Sequence, residues 1–409
     1  MSAEVKPGYK LTEIGVIPEE WRTDVIEHIA NITTGGKNTQ DRVNDGQYPF
    51  FVRSQTVEHI NTYSFDGETV LTAGDGVGTG KVFHYINGKF DAHQRVYLIS
   101  DFKENIDGYF FFLYFSTHFY GRIMQMTAKS SVDSVRRDMI ARMLIPIPPT
   151  KSEQHAIANA LSDVDALLER LERLITKKRN IKQAAMQQLL TGKTRLPGFS
   201  GEWEVKSLGD LFSFSGGYSA SRDQLCLEGH CYLHYGDIHG ALKTIVDAKA
   251  DYLDIPKLNI PLKRISSHSL LKDGDVAFVD ASEDDEGTSK HVVVVNKNDI
   301  PFIAGLHTIV AKSKTNELTH EYRRYCFQTA AIRQQFLFYS VGTKVSGISK
   351  TNIPNLKIPV PPTAEQTAIA TVLSDMDAEL IALEKRREKT RNLKQAMMQE
   401  LLTGKTRLI

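Results

Sequence analysis

Two clusters in the sequence have the composition of chemical sites. The first is Gly74-Asp-Gly-Val-Gly-Thr-Gly-Lys81, which has the glycine density and terminal lysine of a phosphate-cradling loop. Counting back from Gly80-Lys81, the position that needs the first glycine holds Asp75, and Val82 stands where a magnesium-binding Ser or Thr is required. The run also enters a strand-like segment rather than a helix, so no helix N-terminus would face an anion. It reads as a hairpin loop of a kind that can lie close to a nucleic-acid backbone. The second cluster is Cys226, His230, Cys231 and His234, residue types that hold zinc. Their spacing matches neither a finger nor a ribbon, and no second Cys pair lies nearby, so ordinary thiols in a loop and strand are expected. His93 and His307 have no visible catalytic partner and read as core or surface histidines.

Absent patterns narrow the chemistry further. There is no Asn/Asp-Pro-Pro-aromatic tetrad for amino methylation, no Gly-rich methyl-donor loop, no helicase motor motif and no metal-carboxylate nuclease cluster. Asn352-Ile-Pro-Asn355 and Ile358-Pro-Val-Pro-Pro362 lack the needed order. The expectation is a chain without an active site of its own.

What the chain does contain is a long repeat. Residues 153–196 recur as 365–408 at a constant offset of 212, with 29 of 44 positions identical. A period this long exceeds any solenoid unit and marks duplication of half a protein. Ile157, Leu161, Val164, Leu168, Leu171 and Ile175 alternate spacings of four and three, the pattern of a coiled-coil seam. The second copy repeats it with Ile369, Leu373, Met376, Leu380 and Leu383, but Arg387 stands where Ile175 has its counterpart. Thr150 and Thr363 are the expected N-caps, and Gly192 and Gly404 the expected left-handed stops. Each helix is then roughly 38 residues, or about 57 Å. The simplest packing sets the two helices antiparallel with a globular piece at either end; the alternative packs each helix on its own domain.

The 409 residues suit two to four domains. No run of about 18 apolar residues exists and the N-terminus is polar, so neither a membrane span nor a secretory signal is expected. Three cysteines cannot build a disulfide framework, which suits a reducing cytoplasm. Charge is nearly balanced, at −3 for 1–150, +4 for 151–196, −1 for 197–362 and +1 for 363–409. A protein gripping DNA alone would carry a strong basic excess, because phosphate neutralisation supplies most of the affinity. Either nucleic acid is not the target or partner subunits bring the charge.

The globular pieces, about 11–149 and 198–362, carry short apolar or alternating runs broken by Gly, Asn and Asp. Strands are expected at 48–52, 69–72, 81–85, 95–99, 275–279, 291–295 and 308–311, with buried helices at 109–119 and 321–338. A weak common frame joins the pieces. Trp21 with Ile29 parallels Trp203 with Leu211, and Gly35-Gly36 parallels Gly216-Gly217. Elsewhere they diverge while the helices are nearly copied, so the helices do one job twice and the globular pieces do different ones.

The whole pattern resembles the specificity subunits of type I restriction–modification systems. The resemblance rests on the paired lead-ins Ile145–Thr150 and Ile358–Thr363, the helix starts Glu153-Gln154 and Glu365-Gln366, and Leu161-Ser-Asp with Leu373-Ser-Asp. It rests further on the helix ends Gln188-Leu-Leu-Thr-Gly-Lys-Thr-Arg195 and Glu400-Leu-Leu-Thr-Gly-Lys-Thr-Arg407, and on the openings Ile17–Trp21 and Gly198–Trp203. It implies an α+β fold, with two β-rich α/β target recognition domains (1–150 and 197–362) at opposite ends of a long antiparallel two-helix coiled coil of pseudo-two-fold symmetry. The coil would consist of a central helix segment, 151–196, and a C-terminal one, 363–409. Each domain would read one half of a bipartite sequence in double-stranded DNA. The helices would space the halves and dock two modification (methyltransferase) subunits carrying S-adenosylmethionine. Two restriction (translocase/nuclease) subunits would bring ATP and Mg, leaving this chain without cofactor or metal.

By the same resemblance, polar and basic loop residues would meet DNA. In the first domain they are Lys37, Arg42, Arg53, Gln55, Lys81, Gln94, Arg95, Lys129 and Arg136; in the second, Arg222, His234, Lys290, Lys344 and Ser346. Arg and Gln pair bidentately with guanine and adenine edges, whereas Lys and Ser more often hold phosphates. The second domain departs from the first in an acidic run, Ser282-Glu-Asp-Asp-Glu286, where the first has its glycine loop. Two other readings compete. One is a duplicated coiled-coil scaffold that binds proteins, and the other is a catalytic methyltransferase or nuclease, which the missing motifs disfavour.

Overall fold

A computed structural model describes residues 6–126, 134–239, 243–282, 290–340 and 346–408. Contacts divide the chain into two compact units, Met1–Glu172 with Lys385–Ile409, and Arg173–Glu384. Each unit therefore combines one globular domain with part of both long helices.

In the first unit six strands form one sheet, in the spatial order Asn31–Thr34, Val96–Ser100, Phe65–Ala73, Phe83–Ala92, Tyr48–Phe51 and Glu58–Ile60. Strand alternation sends neighbouring residues to opposite faces. Ile32, Val70 and Ile99 meet the helix Gly108–Met126, while Leu71, Phe90 and Leu98 build a smaller core with Phe51 on the other face. The helix is held by buried Phe110, Phe111, Tyr114, Phe115, Phe119 and Ile123, and the Phe115 and Phe119 rings stack at 4.5 Å. Truncating one such phenylalanine would cost about 3–5 kcal/mol.

The second unit holds a five-stranded sheet, in the order Phe212–Gly216, Thr308–Ser313, Val276–Val279, His291–Val295 and Ile245–Asp247. A four-stranded sheet runs Leu225–Cys226, Lys257–Leu258, His230–Leu233 and Phe302–Ala304. The single helix expected at 321–338 is two, His320–Cys326 and Ala330–Tyr339. The break is local chemistry, because the Thr329 hydroxyl accepts from Ile332 N at 3.3 Å and starts a new helix.

The Pro-rich lead-ins begin as strands. Leu144–Ile147 pairs antiparallel with Arg22–Val25, and Lys357–Val360 with Glu204–Ser207. The central helix follows as Lys151–Leu189 and the C-terminal helix as Thr363–Leu401, each 39 residues or about 58 Å. The Thr150 hydroxyl accepts from Glu153 N at 3.2 Å, as an N-cap does. Thr363 corrects the expected pairing of caps: it lies one residue closer to its glutamate and is already the first helical residue. Both helices end at left-handed glycines, Gly192 (φ 69°) and Gly404 (φ 71°).

The seam is more composite than a pure coiled coil. Ile157 and Leu161 lie in the first domain's core beside Phe110, Ile140 and Ile145, and Leu401 and Leu402 of the C-terminal helix enter the same cluster. Ile369 and Leu373 do likewise in the second, with Met186, Leu189 and Leu190 of the central helix. Each helix start thus packs on its own domain and on the end of the other helix. Val164 and Leu168 are half-buried and Leu171 and Ile175 buried; Met376 and Leu383 are half-buried and Leu380 buried. Arg387, at the position equivalent to Ile175, has a buried Nε without a hydrogen-bond partner among the described residues.

Ion pairs fix the antiparallel sense. In the first unit Asp165 meets Lys394 at 2.6 Å and Glu172 meets Arg391 at 3.7 Å. In the second, Lys178 meets Glu379 at 2.7 Å and Lys182 meets Asp377 at 2.5 Å. Asp165–Lys394 and Asp377–Lys182 are the same pair in the two repeat copies. Pairs of this exposure contribute at most about 1 kcal/mol each, so they specify register more than stability.

Candidate nucleic-acid interface

Four loops of the first domain gather at one end of its sheet. Lys37 N donates to Ala92 O at 3.1 Å, Gln94 N to Lys37 O at 2.9 Å, Gly74 N to Arg95 O at 2.8 Å and Val135 N to Gly74 O at 2.7 Å. Gly35 lies so near the 92–93 backbone that an added Cβ would fall 2.1 Å from Ala92 O, which excludes any side chain there. The glycine run 74–81 is a loop joining two adjacent antiparallel strands, as its sequence suggests.

Asp75, the residue that spoils the phosphate-loop pattern, is the hub of this end. Its carboxylate accepts from Arg53 Nη1 at 2.8 Å and from Arg95 Nη1 at 2.6 Å, one guanidinium per oxygen. The Asp75 side chain is 19% exposed, against 43% and 62% for Arg53 and Arg95. Burial raises the Asp75 pKa, but the hydrogen bonds and charges of the two arginines outweigh it and leave the carboxyl below its usual range. His93 holds the 93–95 turn by accepting from Arg95 N at 3.0 Å. Burial, then the Arg53 charge, depress its pKa.

The other expected residues of this domain fall into groups. Gln94 donates to Asn38 at 2.8 Å, Lys37 lies 3.9 Å from buried Asp91, and exposed Gln55 adjoins Arg53. Lys81 is exposed with its ammonium 5.8 Å from the Tyr120 ring centroid. Arg136 is exposed just beyond the bridge that joins Ser134 to Asp75. Arg42 stands apart, 3.4 Å from Glu58 on the edge strand. Lys129 lies outside the described residues.

The second domain repeats the frame with different side chains. Gly217 N donates to Thr308 O at 3.1 Å as Gly35 N does to Val96 O, and Asp280 N to His307 O at 3.2 Å as Gly74 N does to Arg95 O. His307 therefore occupies the backbone position of Arg95, in the left-handed region at φ 55°. Its Nδ1 is 3.2 Å from Asp280 Oδ1, so this histidine has the partner that its sequence context did not reveal. Tyr235 meets the His307 ring edge-on at 5.4 Å and the His234 ring at 4.5 Å. Arg222 donates to Asp237 at 3.1 Å.

His234 departs from the expectation of a DNA-facing residue. It is buried, its Nδ1 accepts from Gly236 N at 3.0 Å, and burial followed by the Arg222 charge lowers its pKa. Its role in this structure is to order the turn that carries Tyr235. Lys290 is half-buried, with its carbonyl accepting from Val279 N. Ser346 lies in a short strand paired with Ser282. Lys344 and the acidic positions 283–286 lie outside the described residues. Cys226 is exposed and Cys231 buried, in strands that flank Lys257–Leu258 on either side, and among the described residues no cluster of three or more His, Cys, Asp or Glu is placed to hold a metal. The residues that sequence reasoning missed are Asp75, Asp280 and His307. Their signal was a carboxylate just beyond a strand end, visible only once the distant basic residue was placed beside it.

The repeated motifs form buried ties between the helix ends and the domains. Gln154 Nε2 donates to Asn105 O at 3.0 Å and its Oε1 accepts from Asp107 N at 2.8 Å; Gln366 does the same with Glu317 O and with Thr319 N at 2.9 Å. Buried Glu153 receives Arg407 of the first unit, and buried Glu365 receives Arg195 of the second. Thr191 and Thr403 each donate to a carbonyl four residues back, both at 2.6 Å, which closes the helix ends. The Thr-Gly-Lys-Thr-Arg motif is thus a helix terminator that delivers an arginine to the start of the other helix. Among the described residues no helix is long and apolar enough to cross a membrane.

Comparison with known proteins agrees with this duplicated plan. The family model "Type I restriction modification DNA specificity domain" matches twice, over residues 18–182 and 200–391. The putative type I restriction enzyme MjaX specificity subunit of Methanocaldococcus jannaschii is 26% identical over 98% of this chain and 97% of its own length. The type I restriction enzyme EcoDI specificity subunit of Escherichia coli is 31% identical over 186 residues, which span 44% of this chain and 40% of that one. A crystal structure of the type I restriction–modification S subunit from M. genitalium shares the fold with a TM-score of 0.59 at 16% identity, covering 97% of this chain and 98% of that one. The chain belongs to the type I restriction–modification specificity subunits, with two tandem target recognition domains.

Proposed function

We propose that the two recognition domains read the two halves of a bipartite, asymmetric sequence in double-stranded DNA, and that the paired helices set the distance between the halves. The observation that carries this reading is the contrast within the frame. Helix starts, helix ends and the Asp165–Lys394 and Asp377–Lys182 pairs are equivalent in both copies, whereas the loop ends carry Asp75 with two arginines in one domain and Asp280 with a histidine in the other. Equivalent helices suit two equivalent partners, and different loops suit two different half-sites.

The partners on this reading are two modification subunits, which bring S-adenosylmethionine and methylate adenine, and two restriction subunits, which bring ATP and Mg. The chain itself supplies no catalytic group and works in the cytoplasm. A near-zero net charge supports the division of labour, since partners would then clamp the phosphates. Half-sites about 10 bp apart, centre to centre, would lie on one face of the duplex. Binding of the chain together with its modification subunits to a randomised duplex library tests the proposal. It expects enrichment of a split motif with a fixed gap. Enrichment of one uninterrupted motif, or of none, would overturn the bipartite reading, and a stable assembly indifferent to DNA would favour a scaffold instead.

A further inference from the structure

We propose that Arg53 and Arg95, presented by Asp75, read guanine in the half-site of the first domain. The inference rests on the reading above and assigns part of its specificity to three residues. Arg53 leaves the sheet after the strand Tyr48–Phe51, Arg95 lies in the turn before Val96–Ser100, and Asp75 lies in the glycine loop after Phe65–Ala73. Three loops distant in sequence thus bring two guanidinium groups to one carboxylate.

The bonding pattern separates this arrangement from an ordinary surface ion pair. Each arginine uses Nη1 alone on Asp75, at 2.8 and 2.6 Å, which leaves the Nε–Nη2 edge of each planar fork for a further partner. That edge offers two parallel donors, and guanine is the base whose major-groove face offers two neighbouring acceptors, O6 and N7. A phosphate would take the same donors without regard to sequence. Holding the forks in fixed rotamers matters more for a base edge, because direction decides the match. Asp75 is well placed to hold them, since it is four-fifths covered and lies between the backbone contacts Gly74 N to Arg95 O and Val135 N to Gly74 O. The second domain keeps the backbone position but has His307 where the first has Arg95, and its carboxylate, Asp280, stands at the position of Gly74 rather than of Asp75, so its half-site is not expected to share the same guanine.

The test is a binding-and-sequencing selection on duplex libraries with the complete methyltransferase complex, comparing the unaltered chain with Arg53→Ala, Arg95→Ala, Arg95→Lys and Asp75→Asn. The unaltered complex is expected to specify guanine in the first half-site. Each alanine variant should lose about 10- to 100-fold of discrimination at one guanine position, with the other half-site intact. Arg95→Lys keeps the charge and loses the fork, so it should relax that position while retaining most of the non-specific affinity. Asp75→Asn should relax both guanine positions together. Retention of the second half-site in every variant reports that the complex is folded. A first half-site without guanine, or alanine variants that weaken all sequences equally, overturns the inference while leaving the bipartite reading intact. Absence of any split motif overturns that reading instead.

Discussion

Arg195 closes on Glu365 with two parallel hydrogen bonds, Nε to Oε1 at 2.5 Å and Nη2 to Oε2 at 2.6 Å. The Glu365 side chain is fully covered, and Trp203 Nε1 donates to the same Oε2 at 2.9 Å. Arg407 and Glu153 repeat the clasp in the other unit, with Glu20 as an additional acceptor at 3.0 Å. A buried carboxylate stripped of its arginine is left uncompensated, at a cost of about 3–5 kcal/mol.

Arg195→Ala should therefore destabilise the second unit, and Arg407→Ala the first. The chain has two tryptophans, Trp203 bonded to Glu365 in the second unit and Trp21 beside Gly404 in the first, so the units can be followed separately. Urea unfolding followed by Trp203 emission in a Trp21→Phe background should show the Arg195→Ala loss. Equal behaviour of both variants in that assay would contradict the pairing.

Alanine at the two helix-ending glycines should behave unequally. Both positions have left-handed φ, which costs a non-glycine residue about 1–2 kcal/mol. At Gly192 a Cβ would meet Trp203 at a comfortable 3.5 Å, whereas at Gly404 it would fall 2.6 Å from Pro18 and 3.1 Å from Trp21. Thermal denaturation should show a larger loss for Gly404→Ala than for Gly192→Ala. The reverse order would mean that the Pro18 contact relaxes freely.

Two histidines give the first unit a pH dependence. His84 Nε2 lies 3.0 Å from Ser54 O and His118 Nδ1 lies 2.9 Å from Tyr114 O, where each neutral ring donates. Burial lowers both pKa values below 6.5, outweighing the carbonyl contacts. A folded-state pKa below the unfolded one means that the stabilisation is present above about pH 6.5 and is lost as pH falls through the lowered values. The melting temperature should drop as pH falls below about 6.5, and His84→Asn or His118→Asn should flatten that slope. An unchanged slope would remove these two groups from the account.

The ruler idea predicts a matched lengthening. Asp165 and Lys182 on the central helix are separated by the same interval as Asp377 and Lys394 on the C-terminal helix. A heptad added between the members of one interval alone should disturb the ion-pair register, while a heptad in both should preserve it and lengthen the gap between half-sites. Methylation mapping checks both. A constant gap with altered half-sites would refute the spacer role.

Much of this was legible in sequence where the determinants are local. Helix lengths followed from the apolar period with Gly192 and Gly404, and the strands near 48–52, 69–72 and 291–295 from their short apolar runs. What escaped depended on distance along the chain. Glu153 and Arg407 were visible as repeated motif letters, yet their partnership spans 254 residues. Ile157 and Leu161 fit a seam by spacing, and spacing alone could not say that a domain core also claims them. Thr329 divided a helix because its hydroxyl competes for the backbone. Asp75 looked like a defect in a phosphate loop until Arg53 and Arg95, remote in sequence, were found on its two oxygens.

The division of labour between domains and helices is open to one measurement, a methylome of cells carrying the intact system, before and after residues 11–149 are exchanged for another such domain. A split methylated motif with a fixed gap is expected, in which the exchange alters one half and leaves the other half and the gap unchanged. Alteration of both halves, or a single continuous motif in either strain, would contradict it.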